Sequence, residues 1–272
     1  MEQKDDSRRF YLREPMNLGE IIDATIDLFK KNIKDFTITS LVVAAPAIVL
    51  MLILTVINMT MPEDHESILA MVFIFVTFAV SFLIVIFYLN ALIKMSSDFY
   101  NGVKTSFKEA CAFSIKKFWK MTQALILSGI GFAVLFVITG MVFAGVTMAT
   151  SNQYLAAGAA IIPFGFAIYY TFCIFLFPYV LVIEDAGVVE SLKRSYELFR
   201  SSRNSMMKII LVPYLINALT IVATFIPFLG SFLVFLTYPL PIIAMTLVYY
   251  DIRIRSEGYD LMLQAEKLDS GL

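Results

Sequence analysis

Three glutamates recur at matched places in this chain, Glu20, Glu109 and Glu190. Carboxylates repeated in this way could converge on a cation at a common axis. Helix capping accounts for them with fewer assumptions. Each follows by three residues a position suited to an N-cap, Asn17, Ser106 and Gly187. In a capping box the N-cap side chain accepts the N–H three residues on, while the glutamate at that place reaches back to the N-cap N–H. Other reactive residues are scarce. The lone His65 sits beside Glu66 in a short loop, without partners for a metal site or a hydrolase triad. Cys111 and Cys173 lie far apart, so neither a disulfide framework nor a thiolate metal site is expected. With no Gly-rich phosphate loop either, the expectation is a non-enzyme with no catalytic residues, cofactor, metal or nucleic-acid partner.

The elements that carry the glutamates are set by composition. Of 272 residues 59% are hydrophobic and only 16% charged, against about 25% charged in a soluble domain. Mean hydropathy is +0.80. The chain therefore reads as an all-α integral membrane protein. The polar first 35 residues carry both signs of charge and resemble neither a secretory signal nor a transit peptide.

About 20 apolar residues cross a bilayer, and a charge at the centre of a crossing helix costs about 2.5–3.5 kcal/mol. Uncharged runs thus mark the spans. Phe36 to Pro62 and Ser67 to Ile93 supply one helix each. Met121 to Ile183 supplies two, divided at the polar turn TSNQ at 150–153. Ile209 to Tyr250 supplies two more, divided near IPFLGS at 226–231. Six transmembrane helices result. Lys and Arg number seven before the first span, six between 94 and 120, five between 184 and 208 and three after 250, which accounts for all 21. The opposite loops carry none, so the positive-inside rule predicts cytoplasmic termini.

Three stretches repeat: NLGEIIDATIDLF at 17–29, SFKEACAFSIKKF at 106–118 and GVVESLKRSYELF at 187–199. In each, one stripe of a helix is apolar apart from a hydroxyl. It comprises Leu18, Ile22, Thr25, Ile26 and Phe29, then Phe107, Cys111, Ser114, Ile115 and Phe118, then Val188, Leu192, Ser195, Tyr196 and Phe199. Each stretch reads as an amphipathic interfacial helix leading into a transmembrane hairpin. The expected organisation is one membrane domain over 1–272, with repeat units at about 17–93, 106–183 and 187–250 and a cytoplasmic tail at 251–272. Lys30, Lys31 and Lys34, then Lys116, Lys117 and Lys120, then Arg200, Arg203 and Lys208 follow the stripes toward the spans. They suit anionic headgroups of the lipid bilayer.

Three stretches, REPMNLGEIIDATIDLFKKN, LVIEDAGVVESLKRSYELFR and LVYYDIRIRSEGYDLML, together resemble the bacterial membrane-protein family named for the glycerophosphoryl diester phosphodiesterase membrane domain. The resemblance implies the membrane part alone, without the soluble catalytic barrel. The resulting expectation is a non-catalytic multi-pass protein of a bacterial cytoplasmic membrane. It would act as scaffold or accessory subunit of an envelope or transport complex, with a membrane or envelope protein as partner. The alternative is a permease or exporter of a lipid, peptide or other amphiphile. Association with further copies of the chain is left open.

Overall fold

The computed structural model describes residues 15–60, 66–201, 211–212, 215–218, 221 and 237–258. His65 and most of the run 209–250, with its expected turn at 226–231, lie outside them. The described residues form helices and contain no strand. In chain order these are α1 (Leu18–Lys31), α2 (Ile33–Thr60), α3 (Glu66–Tyr100), α4 (Phe107–Thr150), α5 (Gln153–Ile174), α6 (Phe177–Ile183), α7 (Val188–Ser201) and α8 (Leu240–Glu257). Three stretches are long and apolar enough to cross a membrane: Phe75–Tyr100, Phe107–Thr150 and Gln153–Ile183. In its described residues the protein is an all-helical membrane protein.

Local chemistry explains where helices stop. The Asn32 side chain donates to the Leu28 carbonyl at 3.0 Å, ending α1 before α2 begins. At the matching place in the second stretch, 89 residues on, stands Met121, which offers no such bond. The second amphipathic stretch accordingly runs on without interruption into the 44-residue α4. Within the TSNQ turn, Ser151 takes φ +52°. Asn152 then caps α5 by accepting from the N–H groups of Tyr154 and Leu155.

The chain forms two compact units. One comprises 1–118 with 205–272, and the other 119–204. These cuts fall elsewhere than the boundaries of the expected repeats. In the first unit α1 packs on α8, α8 on α3, and α2 on α3. Leu28, Phe29, Phe36, Leu92, Met95 and Phe99 form its buried centre. Phe36 stacks on Phe29 at 6.0 Å and meets Phe99 edge-on at 5.4 Å. Polar pairs pin the helices beside it: Ser40 Oγ lies 2.9 Å from Tyr88 Oη, and Ser97 Oγ lies 2.7 Å from Tyr250 Oη.

One side chain stands apart. Asn90 is fully buried in α3, and neither of its amide atoms has a hydrogen-bond partner. An unpaired buried polar group costs about 1–3 kcal/mol, and an apolar group of similar shape removes that cost. Asn90→Leu should therefore raise the melting temperature of the detergent-purified protein. A lowered melting temperature would show that the amide contributes an interaction of its own.

In the second unit α6 and α7 pack together, with α5 against α7. The chain breaks between α5 and α6 next to Pro178, which has no N–H to continue the ladder. Ser195, buried in α7, repairs this break by donating to the Cys173 carbonyl at 2.8 Å and accepting from the Leu176 N–H at 3.1 Å. Farther along, Tyr170 Oη donates to the Ser128 carbonyl at 3.1 Å. Gly131 makes room for it, since a Cβ there would lie 2.2 Å from that oxygen. Gly131→Ala should destabilise by about 1–3 kcal/mol through overpacking. Tyr170→Phe, which removes one hydrogen bond, should cost about 1 kcal/mol. Equal losses in thermal melts would refute the steric account.

Candidate functional site: the capped helix starts

Each amphipathic helix begins with its first amides already paired. In α1 the Asn17 side chain accepts from the Glu20 N–H at 3.0 Å, and Glu20 Oε2 accepts from the Asn17 N–H at 2.7 Å. In α4 the Ser106 hydroxyl accepts from the Glu109 N–H at 3.4 Å, and Glu109 Oε2 accepts from the Ser106 N–H at 2.8 Å. Gly187 lacks a side chain, so in α7 only the return bond forms, from the Gly187 N–H to Glu190 Oε2 at 3.1 Å. The three glutamates each lie at their own helix start. Among the described residues no group of three or more His, Cys, Asp or Glu side chains is placed to share a metal ion.

The residues just before these starts are held as well. Asp251, fully buried in α8, accepts from the Met16 N–H at 2.7 Å. Arg255 Nη2 donates to the Met16 carbonyl at 3.0 Å, and Arg255 Nε contacts both Asp251 oxygens at 3.1 Å. One ion pair thus grips both polar groups of a single peptide residue, 235 positions away from Asp251 in the chain. Ahead of the second start, Asp98 accepts from the Thr105 hydroxyl and from Lys94 Nζ. Ahead of the third, Asp185 takes φ +54° and pairs with Lys120 at 3.4 Å, and Glu184 pairs with Arg194 at 3.3 Å. Sequence reasoning did not single out these acids. Their common signal is an aspartate at the end of an apolar run, within eight residues of the next cap or, for Asp251, near the end of the chain.

The faces of the three helices also match, at offsets of 89 and 170 residues. Ile21, Ala110 and Ser191 are buried; so are Thr25, Ser114 and Ser195; then Leu28, Lys117 and Leu198. Phe29 and Phe199 are buried and Phe118 is partly so. Leu18, Ile22, Phe107, Cys111, Val188 and Leu192, on the expected stripe, are half-buried. The next position of that stripe is open in all three copies: Ile26 is 37% exposed, Ile115 69% and Tyr196 41%. The face turned to protein is thus rotated from the expected stripe toward Ile21 and Leu28. The other edge of the stripe remains uncovered.

Asp251→Ala should cost about 1–3 kcal/mol because it strands the Met16 amide. Asp251→Asn, which keeps an acceptor, should cost less in the same melts.

Residues 36–253, most of the chain, match the family described as a domain of unknown function (DUF7847). That description assigns no activity and does not mention a glycerophosphoryl diester phosphodiesterase membrane domain. No curated protein and no solved structure matches the chain.

Proposed function

The chain belongs to the DUF7847 family, and on that premise we propose that it is a non-catalytic, six-span scaffold or accessory subunit of an envelope or transport complex in a bacterial cytoplasmic membrane. In this reading three units, each a capped amphipathic helix followed by a transmembrane hairpin, arose by internal duplication and keep both termini in the cytoplasm. The repeated cap and the repeated burial at offsets of 89 and 170 support the duplication. The distribution of all 21 Lys and Arg residues supports the orientation. The likeness to the phosphodiesterase-associated membrane family enters this proposal for architecture alone.

The observation that carries the scaffold reading is the uncovered row at Ile26, Ile115 and Tyr196. One apolar edge per amphipathic helix is left for headgroups or a partner protein, and the apolar runs contain no titratable group of the kind that drives transport. Wild-type protein extracted in mild detergent should retain a partner protein in fixed stoichiometry. The combined variant Ile26→Asp, Ile115→Asp and Tyr196→Asp should lose it while staying in the membrane fraction. Recovery of wild-type protein alone, with bound amphiphile, would favour the permease reading instead.

Topology is tested separately by single-cysteine labelling of intact cells. Position 151 should react with an impermeant reagent, and positions 202 and 270 should not. Outside labelling at 202 or 270 would overturn the orientation.

A further inference from the structure

In each compact unit a tyrosine contact marks the level at which open side chains give way to buried ones. In the first unit Ser40 Oγ lies 2.9 Å from Tyr88 Oη, and the Tyr88 ring lies 5.2 Å from that of Tyr238. From this contact toward the α2–α3 connection the helices are uncovered: Val49, Leu52, Phe75 and Phe78 are 54–73% exposed. On its other side no residue of α3 beyond Val85 is exposed, and α8 is buried from Ile243 to Ile252. In the second unit Tyr170 Oη meets the Ser128 carbonyl. No residue of α4 beyond Ser128 is buried, whereas Phe177 to Val182 of α6 all are.

Bilayer thickness accounts for the level. At about 1.5 Å per residue, Ser40 to Thr60 spans about 30 Å, Glu66 to Tyr88 about 33 Å, Ser128 to Thr150 about 33 Å and Gln153 to Tyr170 about 26 Å. These lengths bracket the roughly 30 Å hydrocarbon core of a bilayer. The uncharged run nevertheless continues from 171 to 183, about 20 Å more than that crossing uses. Protein covers the surplus: α7 packs on α6 and α5, and the Phe199 ring meets that of Tyr169 at 5.7 Å. Tyrosine, with an apolar ring and a polar tip, collects where hydrocarbon meets headgroup. Tyr238 and Tyr169 are half-exposed at their respective levels.

We propose that on the cap side the bilayer ends at these tyrosines, short of the charges that close the uncharged runs, and that the residues beyond them form helical bodies standing in water. The capped helices then run alongside those bodies and do not lie flat on headgroups. α1 follows α8 from the Met16–Asp251 contact to the cluster that joins Leu28 to Ile243. α7 follows the broken helix from Ser195 at Leu176 to Phe199 at Tyr169. The inference rests on the reading that α2 to α5 cross the bilayer and is independent of the scaffold role.

Trp119, the one tryptophan of the chain and 66% exposed, separates the two placements. It stands about 13 Å before Ser128 along α4, past a headgroup layer of roughly 5–8 Å. Its side chain also leans toward the helix start, away from the bilayer. A boundary at Met121, where the uncharged run begins, would put it among headgroups. The wild-type protein is placed in nanodiscs whose phosphatidylcholine carries a nitroxide near the headgroup or near the chain end, with iodide as the aqueous quencher. Trp119 fluorescence should be quenched by iodide and left unchanged by both labelled lipids. In a Trp119→Phe background, Tyr238→Trp and Tyr169→Trp should be quenched more by the shallow label, and Phe136→Trp, in mid-crossing, more by the deep one. Trp119 quenched by either lipid label, or sheltered from iodide, would overturn the proposal, as would stronger quenching by the deep label at 238 or 169. Phe136→Trp untouched by both labels would sink the crossing reading, and the proposal with it. The wild-type measurement needs no substitution, so it decides even where a variant fails to fold. Nanodiscs expose both faces, so orientation does not enter.

Discussion

A helix leaves its first N–H groups without carbonyl partners of its own, so each must find an acceptor in a side chain or in solvent. What repeats in this chain repeats around that constraint. Glu20, Glu109 and Glu190 each return a carboxylate oxygen to the amide of their own N-cap. The negative charge also suits the positive end of the helix dipole. Once the start is fixed, the phase of the helix is fixed. The same four positions in each copy, counted from the cap, then turn toward protein.

The buried hydroxyl at the middle of each face shows how the shared frame serves different surroundings. Thr25 and Ser114 donate back to the carbonyls four residues earlier, at Ile21 and Ala110. Ser195 instead turns outward to the broken strand of backbone between α5 and α6. A small polar residue can satisfy itself within its own helix or supply a neighbouring backbone where a helix is interrupted. Leu or Phe at this position could do neither.

The caps were legible in the sequence because a capping box is local, with both partners three residues apart and of recognisable type. The long apolar helices were legible for a similar reason: the uncharged runs at 67–93 and 121–183 fall within the stretches Phe75–Tyr100, Phe107–Thr150 and Gln153–Ile183 that are apolar enough to cross a membrane, or extend them. Periodicity located the apolar arc of each amphipathic helix but not the edge that faces protein. The buried edge includes Ala110, Ser191 and even Lys117, none of which reads as core. A lysine can lie there because its stem is hydrocarbon and its ammonium approaches the Phe113 ring.

Least legible of all was the grip of Asp251 and Arg255 on Met16, because its partners lie 235 residues apart. It nevertheless follows from the same constraint. Asp98 stands eight residues before the second cap and Asp185 two before the third, and Asp98 accepts from the Thr105 hydroxyl just ahead of its cap. Ahead of the first cap the acceptor comes from a distant part of the chain. Asp251, at the end of the apolar run in α8, supplies an acceptor to the Met16 amide through space, and Arg255 pairs with the buried carboxylate. The first helix is thereby tied by the residue that leads into it to α8, a partner it meets only because the chain has folded.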